Sequence, residues 1–499
     1  MINRNINHAS RNTYDLIIVG GGIYGITLSL TASQIGLKSL LLERDDFGGA
    51  TSFNSLRIIH GGLRYLQHFD FKRYMESVLE RRWFFQNFPE FVKPIPCLMP
   101  LYGNGPYRPS VFFPALLLND LLSFRRNERV LPENMLPCGR IVPSSQVTRI
   151  FPEVNKPGLK GGAIWFDGAM DDSQILTIEI LKWACSLGAT AVNYCGAEEL
   201  LTDRGNVIGV RAKDYEGGNV CEFRAPVVVN AAGPWCRQIS ARFHRNFSQL
   251  FRSSIAWNVL LNKNAVSDHA LALTPDRAGA RTCFIRPWKG LIFAGTVHEP
   301  WDGIVRNPVP GLSSIRRFLQ DINQCIPGLN ADVEDILRIY SGLMPAKAAQ
   351  PDQPADREVI IDHSCHDGPL GLFSVSGVKF TTARRVAEKT LRQIFPGHMK
   401  GKHPLSACRP ISQPVTDNRL KWDICQNDES WKPELLRIIQ GESVLHLDDL
   451  MVRRTTIGDT LRQAMSVGEV ICDLFGWNSG RSADEMDRLK RHYDGGQKN

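Results

Sequence analysis

Tyr14-Asp-Leu-Ile-Ile-Val-Gly-Gly-Gly-Ile-Tyr-Gly25 joins four consecutive aliphatic residues to a run of glycines. Leu16 to Val19 have the continuous apolar character of a parallel strand buried on both faces. Glycines at 20, 22 and 25 then have the spacing of a turn leading from such a strand into a helix. Gly20 makes the tight turn, Gly22 lets backbone approach a pyrophosphate, and Gly25 allows close helix–strand packing, with the phosphates at the helix N-terminus. A helix-like stretch runs to about Gln34, and Ser39-Leu-Leu-Leu-Glu43 follows as a second buried strand, so a βαβ unit closes. Glu43, eighteen residues beyond Gly25, is placed to accept hydrogen bonds from ribose hydroxyls. A terminal carboxylate suits an unphosphorylated ribose, which favours FAD or NAD over NADP.

The rest of the chain is too long for one core: 499 residues at about 150 per domain give roughly three domains. Hydrophobic residues at 43% and charged ones at 22% exclude a disordered or fibrous chain. The net charge of +8 is modest and spread out. It favours an anionic small-molecule substrate or an anionic membrane surface, and gives no reason to expect nucleic acid. The first residues carry no apolar signal core, so a cytoplasmic location is expected, and no segment offers the roughly 20 apolar residues of a membrane span. The twelve cysteines are dispersed, which argues against a disulfide framework. His363, Cys365 and His366 lack a second half-site, so no metal is expected there.

Apolar strands return at Gly161–Gly168 and at Val227-Val-Val-Asn-Ala-Ala-Gly233, the second suiting completion of the first sheet, and Gly371 to Ile394 reads strand, turn, helix. Residues 248–338 alternate short strands with Pro and Gly turns, as in an antiparallel sheet. Residues after 404 read as helices. The expected fold is α/β: a discontinuous Rossmann-like FAD-binding domain (13–90, 161–245 and 339–400) interleaved with an antiparallel-sheet substrate lobe (91–160 and 246–338), and a C-terminal helical domain (405–499).

Ile59-His-Gly-Gly-Leu-Arg-Tyr-Leu66 resembles the signature of FAD-dependent glycerol-3-phosphate dehydrogenases, in the flavoprotein superfamily of D-amino-acid oxidase and glycine oxidase. Met170-Asp-Asp-Ser, Asn230-Ala-Ala-Gly-Pro-Trp235, Ile285-Arg-Pro-Trp288, Gly295-Thr, Tyr340-Ser-Gly342, Gly377-Val-Lys-Phe-Thr-Thr382 and Val452-Arg-Arg-Thr455 extend the likeness over nearly the whole chain. The resemblance implies FAD, with Gly20, Gly22, Gly25 and Glu43 on its ADP half and Ala231 and Gly233 also against the cofactor. Thr51, Ser52, His60, Gly61 and Gly62 would lie near the isoalloxazine. Gly377, Lys379, Thr381 and Thr382 would present a helix N-terminus to the flavin pyrimidine edge, where reduction develops negative charge.

The implied reaction oxidises a secondary alcohol by hydride transfer to flavin, with an amine or amino-acid oxidation as the alternative within the superfamily. The alcohol reaction needs a base for the hydroxyl proton, and His60 is the candidate; a ring-packing or flavin-contact role for it stays open. Arg64 and Lys379 join it as catalytic candidates, and with Arg57 and Arg286 they suggest an anionic substrate. Two segments depart from the family pattern. Tyr-Ser-Gly-Leu-Met-Pro345 has Met344 where the family usually has arginine, and Ile255-Ala-Trp-Asn258 replaces Lys-Gly-x-His. Trp257, Asn258 and Met344 are therefore assigned to a remodelled substrate site taking another polyol or polyol phosphate, with Arg286 or Lys347 able to restore charge. Relatives that deliver electrons to quinone raise a quinone acceptor and peripheral contact with the inner face of the membrane. The apolar stretch Val111–Phe124, followed by Arg125, Arg126 and Arg129, fits a helix in a membrane interface or a lobe helix buried against the second sheet.

Overall fold

A computed structural model describes residues 1–103, 108–277, 279–303, 305–347, 350–399, 409 and 431–494. Strand β1 (Leu16–Val19) is buried at every residue and lies inside a parallel sheet, as its apolar run requires. β2 (Ser39–Leu42) and β7 (Thr190–Val192) follow on one side, β11 (Val228–Asn230) and β18 (Leu372–Ser376) on the other, and antiparallel β17 (Val359–Asp362) closes the edge. Helix Ile23–Gln34 packs on this sheet in one core with the helices Ser173–Ser186 and Ala383–Ile394. Gly25 makes that approach possible, because a Cβ on it would stand 1.9 Å from the Gly20 carbonyl oxygen. A small antiparallel sheet of β8 (Cys195–Asp203), β9 (Asn206–Asp214) and β10 (Val220–Arg224) lies beside it.

The second large sheet runs β16 (Ile336–Pro345), β12 (Ser253–Asn264), β15 (Leu291–Pro300), β14 (Cys283–Trp288), β13 (Ala270–Leu273), β4 (Lys93–Leu101), β6 (Gly161–Ala169) and β3 (Ile58–Ile59), with β5 (Arg140–Val142) also on β6. Its pairs are antiparallel except β13 with β4. Residues 161–169 and 339–345 thus belong to this sheet and not, as the sequence reading has it, to the FAD-binding part. The physical reason is that β6 is buried along nearly its whole length. An apolar run without alternation does not reveal which sheet it joins.

The C-terminal helices are Lys432–Gly441, a π-helical segment Asp449–Arg454, Leu461–Cys472 and Ser479–Asp494. The parts of the expected 405–499 domain at 405–408, 410–430 and 495–499 lie outside the described residues. Asp46, just past β2, joins these helices to the nucleotide-binding sheet. It accepts from Arg454 Nη2 at 2.8 Å and from Asn193 Nδ2 at 2.9 Å, and Arg453 also pairs with it, all four residues being buried. Burial alone would raise the Asp46 carboxyl, but the two guanidinium charges and their hydrogen bonds outweigh it and hold the group at about 2. Removing one member of a buried ion cluster leaves its partners uncompensated, which typically costs about 3–5 kcal/mol. Asp46→Asn is therefore expected to lower the unfolding free energy by about that amount in denaturant melts. The sign with pH follows from the depressed value: the Asp46 contribution is complete above its ordinary value of 3.8 and is lost as pH falls towards 2.

Candidate active site

A cavity of about 1070 Å³ runs from the C-terminal ends of β1 and β2 to the face of the lobe sheet. At the nucleotide end it is lined by Gly20, Gly22, Glu43, Ala231 and Gly233, with the Arg44 guanidinium 4.9 Å above the Trp235 ring. A Cβ on Gly22 would meet only Ser52 Oγ, at 3.4 Å, so the protein itself leaves the space in front of the helix N-terminus open. Ser52 Oγ accepts the Ile23 N–H at 3.0 Å, fixing that terminus toward the cavity. These features fit a dinucleotide pyrophosphate. Glu43 accepts the Gly21 N–H at 2.6 Å and the Asp45 N–H at 2.8 Å, one on each oxygen, leaving lone pairs for ribose hydroxyls. Burial and the neighbouring charge of Asp45 push its carboxyl up to about 7. Gly25 serves helix packing and does not line the cavity.

At the other end the cavity is lined by Thr51, Ser52, His60, Gly62, Gly377, Lys379 and Thr381. Tyr24, inside the glycine turn, pins the last of these segments. Its hydroxyl donates to the Lys379 carbonyl at 2.8 Å and accepts the Lys379 N–H at 2.9 Å, and a Cβ on Gly377 would collide with its ring at 1.8 Å. Thr382 is the N-cap of helix Ala383–Ile394 and stands outside this lining.

His60 Nδ1 lies 3.0 Å from Asp167 Oδ2 on β6. Asp167 Oδ1 also accepts the Gly61 N–H and Arg81 Nη1, each at 2.7 Å. Burial would raise the Asp167 carboxyl, but the hydrogen bond and charge of His60, the charge of Arg81 and the Gly61 N–H hold it at about 2. An ionised Asp167 makes Nδ1 the donor and leaves Nε2 of a neutral imidazole as an acceptor. Gly61 is a structural requirement of this arrangement, since its Cβ would stand 2.2 Å from the Arg81 guanidinium. The sequence reading missed Asp167, Arg81 and Tyr24. The lone acid in the apolar run GGAIWFDGA was the available signal for the first.

An aromatic wall flanks His60. The Phe284 ring is 5.0 Å from the imidazole, Trp165 is edge-on to Phe284 at 6.4 Å, and Phe112 lies 6.4 Å from Trp165. Met99 and Met344 also line the cavity. Opposite are two cations, Arg64, exposed in the cavity mouth, and Lys379, whose Nζ sits 4.2 Å above the Tyr65 ring. Burial, with the charge of Arg64, pushes the Lys379 amine down to about 8. His298 also lines this region, and burial with the charges of Arg281 and Arg64 lowers it to about 4.

Three assigned substrate residues are placed elsewhere in their contacts. Arg286 is buried outside the lining, paired with Asp171 and donating to the Arg57 carbonyl at 2.8 Å. Arg57 borders the cavity, but its guanidinium lies 4.7 Å from the Trp288 ring and 5.3 Å from that of Tyr340, and donates to the Asp171 carbonyl. Trp257 is fully buried against Phe318 at 5.3 Å, because neighbouring strand residues face opposite sides. Asn258 accordingly faces the cavity, held by Asn54 and Thr296 at 3.0 and 2.7 Å. Lys347 is paired with Asp356 at 3.2 Å. His363 Nε2 is 2.8 Å from Ser374 Oγ and its Nδ1 3.1 Å from that of His244.

Residues 15–391 match the model of the FAD dependent oxidoreductase (DAO) family. The chain belongs to that family. It is an FAD-dependent oxidoreductase similar to glycerol-3-phosphate dehydrogenases. The glycerol-3-phosphate dehydrogenase of Synechocystis sp. is 28% identical over 425 residues, covering 83% of this chain and 75% of the relative. The X-ray structure of the glycerol-3-phosphate dehydrogenase from Bacillus halodurans complexed with FAD superposes with a TM-score of 0.73 at 20% identity, over 98% of this chain and 96% of that one. The L-proline dehydrogenase of P. horikoshii reaches 0.56 at 16% identity, over 79% of this chain and 96% of its own.

Because the Gly22 Cβ would enter the cavity and not the protein interior, Gly22→Val is expected to fold and yet purify colourless. Absorbance near the flavin band and a melting curve check the two halves of that statement, and full flavin occupancy in the variant would contradict it.

Proposed function

We propose that the protein oxidises a secondary alcohol, a polyol or polyol phosphate, with His60 taking the hydroxyl proton at Nε2. The observation that carries this reading is the His60–Asp167 pair. Its carboxylate fixes the tautomer a base requires, and stabilises the imidazolium once the proton arrives. FAD, when bound, supplies the hydride acceptor. Arg64 and Lys379 bind an anionic end of the substrate, and the wall of Phe112, Trp165 and Phe284 excludes water from the face of His60. Met344 lines the cavity where the resemblance implies an arginine, so a phosphate receives fewer charge-assisted hydrogen bonds there. Glycerol 3-phosphate is accordingly a poor substrate beside a less compact polyol derivative.

The electron acceptor that fits the surface is a membrane quinone at the cytoplasmic face of a bilayer. No helix among the described residues is long and apolar enough to cross a membrane. Helix Pro109–Leu122, however, buries Phe112 and Leu116 and exposes Val111, Phe113, Leu117 and Leu121, with Phe124 exposed just beyond. Leu122 joins it to the helix Phe71–Asn87 through Leu66, Tyr74 and Val78, and the exposed Phe69 and Phe71 rings stand 6.4 Å apart at that corner. Arg125, exposed at the end of the helix, suits anionic headgroups. Phe112 also lines the cavity, which brings this face next to the site.

Anaerobic mixing with polyols, polyol phosphates and amino acids, followed at the visible flavin band, tests the activity. Bleaching by an alcohol is expected. His60→Ala should slow it about 100-fold with FAD still bound, and Met344→Arg should speed bleaching by glycerol 3-phosphate. Bleaching by amino acids alone would replace the alcohol reading. For the surface, Leu117→Glu with Leu121→Glu is expected to abolish flotation with anionic phospholipid vesicles while leaving flavin reduction intact. Unchanged flotation would remove the membrane assignment.

A further inference from the structure

The cavity has a second arm that alcohol oxidation does not use. It continues past Phe53 to the junction of β16, the segment 305–308 and helix Ser479–Asp494, where Arg338, Asn307, Arg488, Arg491 and His492 line it. Arg338 is only 8% exposed. Its guanidinium sits 4.8 Å from the Tyr340 ring, 5.0 Å from Tyr493 and 5.1 Å from Phe53, and Nη2 lies 2.6 Å from His492 Nε2. Burial and the charges of Arg338 and Arg453 hold His492 well below its ordinary pKa, so the ring accepts from Arg338 and adds no negative charge.

Most buried guanidiniums face a carboxylate; Arg57 and Arg338 do not, and of these two Arg57 is held by the Asp171 carbonyl. Arg81 faces Asp167, Arg286 faces Asp171, Arg384 faces Glu80, and Arg453 and Arg454 face Asp46. Among the described residues no carboxylate lies within ion-pair distance of Arg338, nor of the exposed Arg491 at the arm's mouth. The nearby Asp448 is already shared by Arg453 and Arg488. Ring faces offset part of the cost of burying a cation, but an uncompensated buried charge next to open space remains unfavourable. An anion entering the arm would remove that deficit.

We propose that this arm is an oxyanion site for a phosphate group, with Arg338 at its floor, Arg491 at its mouth and the Asn307 amide as a further donor. Its lining comes from β16, the segment 305–308 and helix Ser479–Asp494, whereas the part of the same cavity in front of Gly22 is shaped for the cofactor's own phosphates. Its occupant lies behind Phe53 and Asn54, in the segment that borders the flavin end of the cavity, so binding there reaches the cofactor through one short stretch of chain.

Calorimetric titration of the FAD-loaded enzyme tests the site, with inorganic phosphate in one series and glucose 6-phosphate in another. Loaded enzyme is used so that no cofactor phosphate position is vacant. Arg64→Gln weakens phosphate binding at the substrate end, where Lys379 remains, so the arm is read from the sensitivity of binding to Arg338 and Arg491. On that background Arg338→Gln and Arg491→Gln are each expected to weaken phosphate binding about tenfold or more. Arg491 is exposed, so its variant keeps the test decisive where Arg338→Gln does not fold. Tighter binding of the sugar phosphate assigns a phosphate ester, and equal binding assigns the free ion; both require sensitivity to Arg491. Binding that is unaffected by Arg491→Gln, or that appears only in FAD-free protein, overturns the proposal.

Discussion

Asp167 holds the reactive end of the cavity together. It stands on β6 opposite Ile95 of β4, yet its two oxygens collect His60, the Gly61 N–H and Arg81, which come from the loop after β3 and from helix Phe71–Asn87. These donors, on a buried carboxylate that also accepts Trp165 Nε1 at 3.4 Å, keep it ionised against its burial, because a carboxylate that accepts several hydrogen bonds is stabilised in its charged form. The same geometry explains the paired glycines after His60. Arg81 fills the space a Gly61 side chain would need, and Gly62 is in the left-handed region at φ 84°. The motif is therefore a steric condition for the ion pair that orients the imidazole.

Charge pairing of this kind recurs wherever two parts of the molecule meet. Arg384 with Glu80 ties helix Ala383–Ile394 to helix Phe71–Asn87, Arg286 with Asp171 ties β14 to the segment after β6, and Asp46 with Arg453 and Arg454 ties the C-terminal helices to β2. A buried pair gives little net stability over an apolar replacement, but it penalises any arrangement that separates its members. These pairs thus define how the interleaved segments seat on one another. Of the four cations that the sequence suggested for an anionic ligand, Arg286 is engaged in such a pair, and Arg57, though it borders the cavity, is held by the Asp171 carbonyl and by ring faces, which leaves Arg64 and Lys379.

That division shows what could be read from the chain. The βαβ unit was legible because every determinant is local: an apolar run, three glycines at fixed spacing and an acid at the next strand end. The lobe was less so. In Ile255-Ala-Trp-Asn-Val-Leu-Leu261 apolar character is nearly continuous, so pattern alone does not show that Trp257 faces Phe318 while Asn258 faces the cavity. Only the register of β12 between β15 and β16 fixes that parity. The partners of His60 were hidden for a different reason. Asp167 and Arg81 are 107 and 21 positions away in sequence, and nothing local announces a pairing made between neighbouring strands of one sheet and a helix.

The two remaining cations differ in kind, and this shapes the substrate end. Arg64 is exposed and carries a permanent charge, whereas Lys379 is pinned by Tyr24 through its own backbone and lowered to about 8 by burial and by Arg64. An anion placed between them would move Lys379 back towards its ordinary range, so binding and protonation reinforce each other. The Phe112 and Phe284 rings offer no hydrogen bonds, and the Trp165 N–H is taken by Asp167 at 3.4 Å. A ligand with one anionic end and one weakly polar end suits these two kinds of lining.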